Sequence, residues 1–446
     1  MAELFGTDGV RGEVNRYPLT PEMMVKLGKA AATVFRNNKE KHRILIGKDT
    51  RISGYIIETA LTAGICSMGV DILLVGPLPT PAVAFLAKDL EADAAIMITA
   101  SHNPAQDNGI KFFSHEGLKL PDKKEEAIEK LTLSEDFDFI PYNELGKARR
   151  IDDARRRYID FAKATVKNDL KGIKLVVDCA NGAAYAVAPA IFSELGAETT
   201  VINDKPDGLN INLGCGALHP EVVAAAVKES KADIGIAVDG DADRLVVVDE
   251  NGEILDGDET VAIIAVHMKN EGSLKKDTVV TTIMSNLGFE QAMKKNNIKL
   301  VRTNVGDRYV VEEMNLHGYN LGGEQSGHMI LFDHNTTGDG IISALQVLEI
   351  MKNTGKKLSE LKRCMTKLPQ VLENIKVKAK PPLESLEKVT QTIKEVEDEL
   401  GGRGRVLVRY SGTENKCRVM IEGEDFTIIK AQCRKIIDAL REEIGA

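Results

Sequence analysis

The sequence has no run of about 18 uninterrupted apolar residues, the length a membrane-crossing helix needs. Its first residues, Met1-Ala2-Glu3-Leu4-Phe5-Gly6, lack the basic and apolar regions of a secretory signal. The six cysteines (Cys66, Cys179, Cys215, Cys364, Cys417, Cys433) include no CxxC pair, so they read as buried reduced thiols of a cytoplasmic protein. Positive charge is not in excess either. A net charge of −9 argues against a nucleic-acid scaffold, and neither nucleic acid nor membrane is an expected partner. What remains is an ordinary globular composition, 43% hydrophobic and 28% charged, with material for several cores. At 446 residues the length alone suggests about three domains.

One short loop organises the chain, Thr99-Ala100-Ser101-His102-Asn103-Pro104. The apolar run Ala94-Ala95-Ile96-Met97-Ile98 leads into it as a strand and stops, and Asn103-Pro104 is a turn signal. Ser101 therefore falls at the carboxyl end of a strand, where open α/β sheets place ligands, and is read as a nucleophile or a carrier of a covalent group. The plain alternative is that Ser101 or Thr99 caps a following helix.

Asp239, Asp241 and Asp243 alternate, with Arg244 next. Three carboxylates at that spacing converge on one hard cation, Mg²⁺ or Ca²⁺, if the backbone turns sharply. An EF-hand is rejected, because Arg244 stands where the loop requires glycine and both flanks, Ile234-Gly235-Ile236-Ala237-Val238 and Leu245-Val246-Val247-Val248, read as strands. A purely structural acidic turn stays open. A phosphoserine at Ser101 would add an oxygen ligand to such a site, and a bound Mg²⁺ would offset charge on the phosphoryl group.

Three further stretches carry candidate chemistry. The opening Gly6-Thr7-Asp8-Gly9-Val10-Arg11-Gly12 is glycine-rich, and Arg11 is suited to clamp a phosphate. Gly322-Gly323-Glu324-Gln325-Ser326-Gly327-His328 sets Glu324 and Ser326 at alternate positions, fit to bond neighbouring sugar hydroxyls. Arg409-Tyr410-Ser411-Gly412-Thr413, with Arg418 beyond, combines hydroxyls, cations and backbone N–H groups near a glycine, the makings of a phosphate nest. Each has a bland reading as a surface turn.

Apolar strand, loop, helix and second strand recur from Arg43, Lys174 and Thr278, suggesting three related α/β domains with mixed, mostly parallel sheets. A charged region over 123–157 reads as a surface helix and a crossing, and a third domain begins near Asp256. Lys378-Ala379-Lys380-Pro381-Pro382 reads as a linker or strand edge into a small α+β domain, with helices over 384–400 and from Asp425, and strands over 405–409 and 418–421.

In this order the motifs resemble those of the α-D-phosphohexomutase superfamily, over essentially the whole chain. The 99–104 loop, with Asp107-Asn108-Gly109-Ile110-Lys111-Phe112-Phe113 and Asn210-Ile211-Asn212-Leu213-Gly214-Cys215-Gly216, is similar to its glucosamine branch. Thr99 departs mildly from the serine expected there. The resemblance implies four domains around a central cleft, here 1–152, 153–255, 256–368 and 369–446. It implies a phosphorylated Ser101 that gives its phosphoryl to O1 of glucosamine 6-phosphate, and a 1,6-bisphosphate that turns over and returns the other phosphoryl. Glucosamine 1-phosphate, a precursor for cell-wall sugar nucleotides, then leaves.

It also implies one Mg²⁺ per subunit on Asp239, Asp241, Asp243 and Ser101. Glu324, Ser326, His328 and Arg244 would bind sugar phosphate; Arg409, Ser411, Gly412, Thr413 and Arg418 would hold the remote phosphate. Glucosamine 1,6-bisphosphate or another donor would activate the enzyme, and a homodimer is possible. A phosphomannomutase/phosphoglucomutase-type hexose-phosphate mutase is the alternative within the family. Outside it stand a phosphatase with Asp239 or Asp241 as nucleophile, and a sugar-phosphate sensor without catalysis.

For the proton that the sugar hydroxyl must lose, Lys111, His102, His328 and Arg11 are candidates. Arg11 stays protonated, His328 lies on the presumed sugar loop, and His102 is expected to point away from Ser101 along an extended loop. Lys111, read as following a glycine turn beside the metal and Arg11, is favoured as a base with a lowered pKa.

Overall fold

A computed structural model describes residues 4–6, 9–36, 42–411 and 415–445. The chain packs as two compact units, Met1–Ile283 with Ile298–Arg363, and Met284–Asn297 with Cys364–Ala446. Among the described residues no helix is long and apolar enough to cross a membrane.

The first unit carries three mixed sheets. The seven-stranded one runs Phe5–Gly6, Gly9–Glu13, Asp107–Ser114, Ala94–Ile98, Arg43–Lys48, Asp71–Pro77, Ala148–Arg150. Its central strands are continuous apolar runs because both faces are covered by helices; Ile44, Ile46, Ile96 and Ile98 are fully buried. The five-stranded sheet is built on Lys174–Asp178, Glu198–Ile202, Ile234–Val238, Leu245–Asp249 and Ile254–Leu255. The four-stranded one uses Thr278–Thr282, Lys299–Thr303, Leu321–Gly323 and Met329–Leu331.

The three sheets share a device. In each, a parallel set is followed by a strand that turns back antiparallel: Ala94–Ile98 to Asp107–Ser114, Ile234–Val238 to Leu245–Asp249, and Leu321–Gly323 to Met329–Leu331. The connections at those three reversals are the loops that carry Ser101, the three aspartates, and Glu324 with His328. A strand that enters buried and returns as its own neighbour leaves only the connection free, so polar chemistry collects there.

Helix Asp122–Ser134 ends at Glu135 in a left-handed conformation, and the edge strand Ala148–Arg150 and helix Ala154–Lys163 follow.

In the second unit, strands Gln370–Lys376, Lys416–Gly423 and Gly404–Tyr410 form an antiparallel sheet under helices Glu387–Leu400 and Phe426–Ile444. The sequence reading placed two of these strands and missed Gln370–Lys376. Helix Leu287–Lys295 belongs to this unit. Its cap, Asn286, bonds both the N–H and the carbonyl of Leu368, and Glu422 accepts from Leu287 N–H at 3.0 Å.

Candidate active site

No helix follows Ser101; the chain turns and enters Asp107–Ser114, so neither Ser101 nor Thr99 is a helix cap. Thr99 donates its hydroxyl to Asp49 Oδ2 at 2.7 Å and accepts Ser101 N–H at 2.9 Å, which closes a tight turn. Ser101 is held at φ +49°, a left-handed conformation uncommon for serine. Its Oγ donates to Asp239 Oδ2 at 2.6 Å and lies 3.2 Å from His102 Nδ1. The expectation that His102 points away is thereby corrected: the loop is not extended at Ser101, and the left-handed turn brings the two side chains together. Burial, with the charges of Arg244 and Arg11, pushes His102 down to about 4, so its ring is neutral near pH 7.

The aspartates form the tip of an antiparallel hairpin in which Val238 pairs with Leu245 and Ala242 takes φ +57°. This is the sharp turn the alternation needs, and the strand flanks exclude an EF-hand. One oxygen from each of Asp239, Asp241 and Asp243 lies within 4.8 Å of the others, all three residues buried. Asp241 Oδ2 accepts from Thr80 Oγ1 at 2.7 Å, and Lys111 Nζ reaches Asp241 Oδ2 and Asp243 Oδ2 at 3.1 Å each. Asp241 Oδ1 and Asp243 Oδ1 are buried with no hydrogen bond among the described residues. Burial, then Asp243 and Asp241, drive the Asp239 carboxyl well above the carboxylate range. A buried oxygen cluster with open lone pairs and mutual repulsion fits a hard divalent cation.

Gly240 makes the approach of the two loops possible. A Cβ there would lie 2.7 Å from the Ser101 carbonyl. The third loop is stitched to the same hairpin: Leu245 N–H donates to Gly327 O at 3.0 Å, and Gly327 at φ +91° leaves no room for a side chain, since its Cβ would fall 2.2 Å from Leu245 O. His328 is buried opposite Arg244, with Nδ1 3.7 Å from Asp243 Oδ1. Burial opposes its charge, but Asp243, Asp307 and Glu324 outweigh that and raise it to about 9. His328 is thus an imidazolium partner of Asp243 near neutral pH. Glu324, raised by burial, accepts from Gly306 N–H at 3.2 Å, and Ser326 is exposed. Arg244 Nε lies 3.9 Å from Asp243 Oδ1.

Lys111 and Arg11 sit on paired strands. Arg11 faces Gly109 and Lys111 faces Met97 in the register, so Gly109 lies inside a strand and the glycine turn expected before Lys111 does not exist. Both neighbouring strands press on that glycine, where a Cβ would meet Thr99 O at 2.7 Å and Val10 O at 2.8 Å.

In the second unit, Arg409 and Arg418 are direct cross-strand partners, with side chains on one face. Burial, then the Arg418 charge, lowers Arg409, and Arg418 Nε is buried without a hydrogen bond among the described residues. Ser411 is buried, donates its N–H to Lys416 O at 2.8 Å and accepts Lys380 Nζ on its carbonyl at 2.7 Å. Gly412 and Thr413 lie outside the described residues.

Sequence reasoning missed four residues that build this site. Asp49 and Arg51 follow the buried strand Arg43–Lys48, just as Ser101 follows its own, and charged residues after a buried parallel strand are the signal that was available. Thr80 binds Asp241 through its N–H (2.9 Å) as well as its hydroxyl. Asn212 Nδ2 donates to the carbonyls of Ser101 (2.9 Å) and Asn103 (3.2 Å).

Comparison with known proteins decides the family. Residues 2–139, 156–252 and 256–368 match the families described as phosphoglucomutase/phosphomannomutase alpha/beta/alpha domains I, II and III, and 372–439 match the C-terminal domain. The chain is 57% identical over 449 residues to the phosphoglucosamine mutase of Geotalea daltonii, covering 100% of this chain and 99% of the relative. The chain belongs to the phosphoglucosamine mutase family of phosphohexomutases. A second phosphoglucosamine mutase, from Geobacter sp. (strain M21), is 56% identical over the same coverage. Membership makes the protein an isomerase that acts by phosphoryl transfer, with three α/β/α domains and a C-terminal one. Solved phosphohexomutase structures share the fold. A phosphoglucomutase/phosphomannomutase family protein from Burkholderia thailandensis superposes with TM-score 0.83 at 22% identity, covering 100% of both chains. The N-acetylphosphoglucosamine mutase of Aspergillus fumigatus, solved with GlcNAc-6P and magnesium, does so with TM-score 0.70 at 17% identity, covering 99% and 96%. Family membership and the buried aspartates together fit a metal site.

Proposed function

We propose that this chain interconverts glucosamine 6-phosphate and glucosamine 1-phosphate through a phosphoryl group carried on Ser101. The observation that carries the reading is Ser101 Oγ bonded at 2.6 Å to one member of a buried aspartate triad whose other two members each keep an Oδ1 without a hydrogen bond among the described residues. A hydroxyl so placed stands beside a cluster fit to hold a cation, with His102 Nδ1 at 3.2 Å on its other side.

Phosphorylated Ser101 gives its phosphoryl to O1 of glucosamine 6-phosphate; the Ser101 Oγ–P bond breaks as the O1–P bond forms. The bisphosphate reorients, and Ser101 takes back the 6-phosphoryl, leaving glucosamine 1-phosphate. The proton lost by the sugar hydroxyl in the first half is the one Ser101 Oγ needs, so nothing is consumed. Asp239, Asp241 and Asp243, with an oxygen of the phosphorylated Ser101, would hold a Mg²⁺. When bound it offsets negative charge on the transferring group.

Lys111 is the proposed proton acceptor. Its amine lies 3.1 Å from Asp241 Oδ2 and from Asp243 Oδ2, two of the carboxylates that would hold the cation, and so stands beside the proposed transfer. Glu324 and Ser326 would orient sugar hydroxyls, Arg244 and Arg11 would meet phosphate oxygens, and Arg409, Ser411, Gly412, Thr413 and Arg418 would hold the phosphate that is not reacting. Activation by glucosamine 1,6-bisphosphate follows, because a Ser101 that has lost its phosphoryl must regain it from a donor.

The test is product analysis with glucosamine 6-phosphate, Mg²⁺ and trace glucosamine 1,6-bisphosphate. Glucosamine 1-phosphate is the expected product. Inorganic phosphate in its place would mean a phosphatase, and binding without conversion would mean a sensor.

A further inference from the structure

Arg51 is fully buried, with 0% of its surface exposed. Its Nε donates to Asp49 Oδ2 at 2.9 Å, and that carboxylate also takes the Thr99 hydroxyl. Its other nitrogens donate to four carbonyls of one loop: Nη2 to Ser101 O (3.0 Å) and Asn103 O (2.8 Å), Nη1 to Pro104 O (2.5 Å) and Asp107 O (3.1 Å). From another direction Asn212 Nδ2 donates to two of the same carbonyls, those of Ser101 and Asn103. Burying a guanidinium is costly, and a hydrophobic residue there would fill the space more cheaply. A planar fork spending its donors on consecutive loop carbonyls is matched to fixing a backbone path.

The path needs fixing. Ser101 sits in a conformation that serine avoids, and that conformation turns Oγ onto Asp239. At Ser101 itself the turn is held locally by two bonds, the Thr99 hydroxyl accepting Ser101 N–H and the Ala100 carbonyl accepting Asn103 N–H. We infer that Arg51, seconded by Asn212, is a positioning residue for phosphoryl transfer: it grips the loop carbonyls so that Ser101 keeps its left-handed turn and presents Oγ to the aspartate triad. The inference rests on the reading of Ser101 as the phosphoryl carrier. Neither residue is assigned to touch the sugar phosphate, so their loss acts on the geometry of the transferring bond and not on substrate affinity.

Arg51→Lys keeps the charge and loses the fork; Asn212→Ala removes the second donor and leaves the buried charge in place. Steady-state kinetics are paired with amide hydrogen exchange across residues 99–107. The expected result for Arg51→Lys is a fall in kcat of about a hundredfold, the cost of an ångström-scale misplacement, with KM little changed and faster exchange confined to the loop. Asn212→Ala should show the same split on a smaller scale, and it decides the matter if Arg51→Lys does not fold. Wild-type kcat in either folded variant, or a loss of activity that tracks only the folded fraction, overturns the inference. A wild type without mutase activity whose loop still loosens in Arg51→Lys would refute the phosphoryl carrier and leave the clamp standing; an active wild type with an equally active Arg51→Lys would do the reverse.

Discussion

The aspartate hairpin and the Arg409–Arg418 pair are built with opposite charge and the same defect. In the first unit three carboxylates crowd within 4.8 Å and keep two buried oxygens without hydrogen bonds among the described residues. In the second, two guanidiniums face each other across neighbouring strands, and one buried nitrogen has no hydrogen bond among the described residues. Like charges at such positions destabilise a fold unless something of opposite sign joins them. A ligand of opposite sign would relieve each, a cation in one and an anion in the other. The difference lies in the framing. The acidic cluster is buried and braced by Thr80, Lys111 and His328, whereas the basic pair lies on a half-buried strand surface.

The comparison breaks most completely at Ser101. Ser101→Ala should cut turnover on the order of 10⁴-fold or more, as loss of a nucleophile does, while glucosamine 6-phosphate still binds by calorimetry. Near-normal turnover with ample bisphosphate would remove Ser101 from the reaction. Next, exhaustive chelation should stop turnover and Mg²⁺ should restore it. Asp241→Asn should raise the Mg²⁺ concentration needed for half-maximal rate, and full activity after chelation would deny the acidic cluster its cation. Lys111→Arg should lower kcat about a hundredfold, the lower range for a lost general base; wild-type kcat would make Lys111 an electrostatic brace and move the test to His102.

On the basic side, Arg418→Ala or Arg409→Ala should raise KM roughly tenfold or more, the worth of a charged hydrogen bond to phosphate. Unchanged kinetics in both would place the remote phosphate elsewhere. The smallest effect concerns stability. His328 has its folded pKa raised from 6.5 to about 9, so its pairing with Asp243 stabilises fully below 6.5 and is lost as pH rises through 9. The metal-free protein should lose a few degrees of Tm (~1 kcal/mol or more) between those values, and His328→Gln should flatten that decline. An equal decline in the variant would contradict the pairing.

The chemistry-bearing loops were legible because dense polar motifs interrupt apolar strands at three matching places, and a strand that ends in such a motif has few other uses. Arg51 was not legible. In sequence it is one arginine after Asp49-Thr50, indistinguishable from a solvated side chain until the tertiary fold closes over it. The contact of His102 with Ser101 was hidden too, because positive φ at a serine has no sequence signature. Gly109 read as a turn because glycine usually marks one; here it is a strand residue squeezed from two sides. Strand Gln370–Lys376 escaped notice because Glu373 and Asn374 interrupt its alternation.

The account stands on the phosphoryl group at Ser101. Intact-protein and peptide mass spectrometry on enzyme treated with glucosamine 1,6-bisphosphate, then chased with excess glucosamine 6-phosphate, tests it most directly. The account predicts one added phosphoryl, mapped to Ser101, that passes to the sugar and appears in glucosamine 1,6-bisphosphate during the chase. Sustained conversion to glucosamine 1-phosphate with Ser101 unmodified, or with a phosphoryl group that never leaves it, would contradict the account.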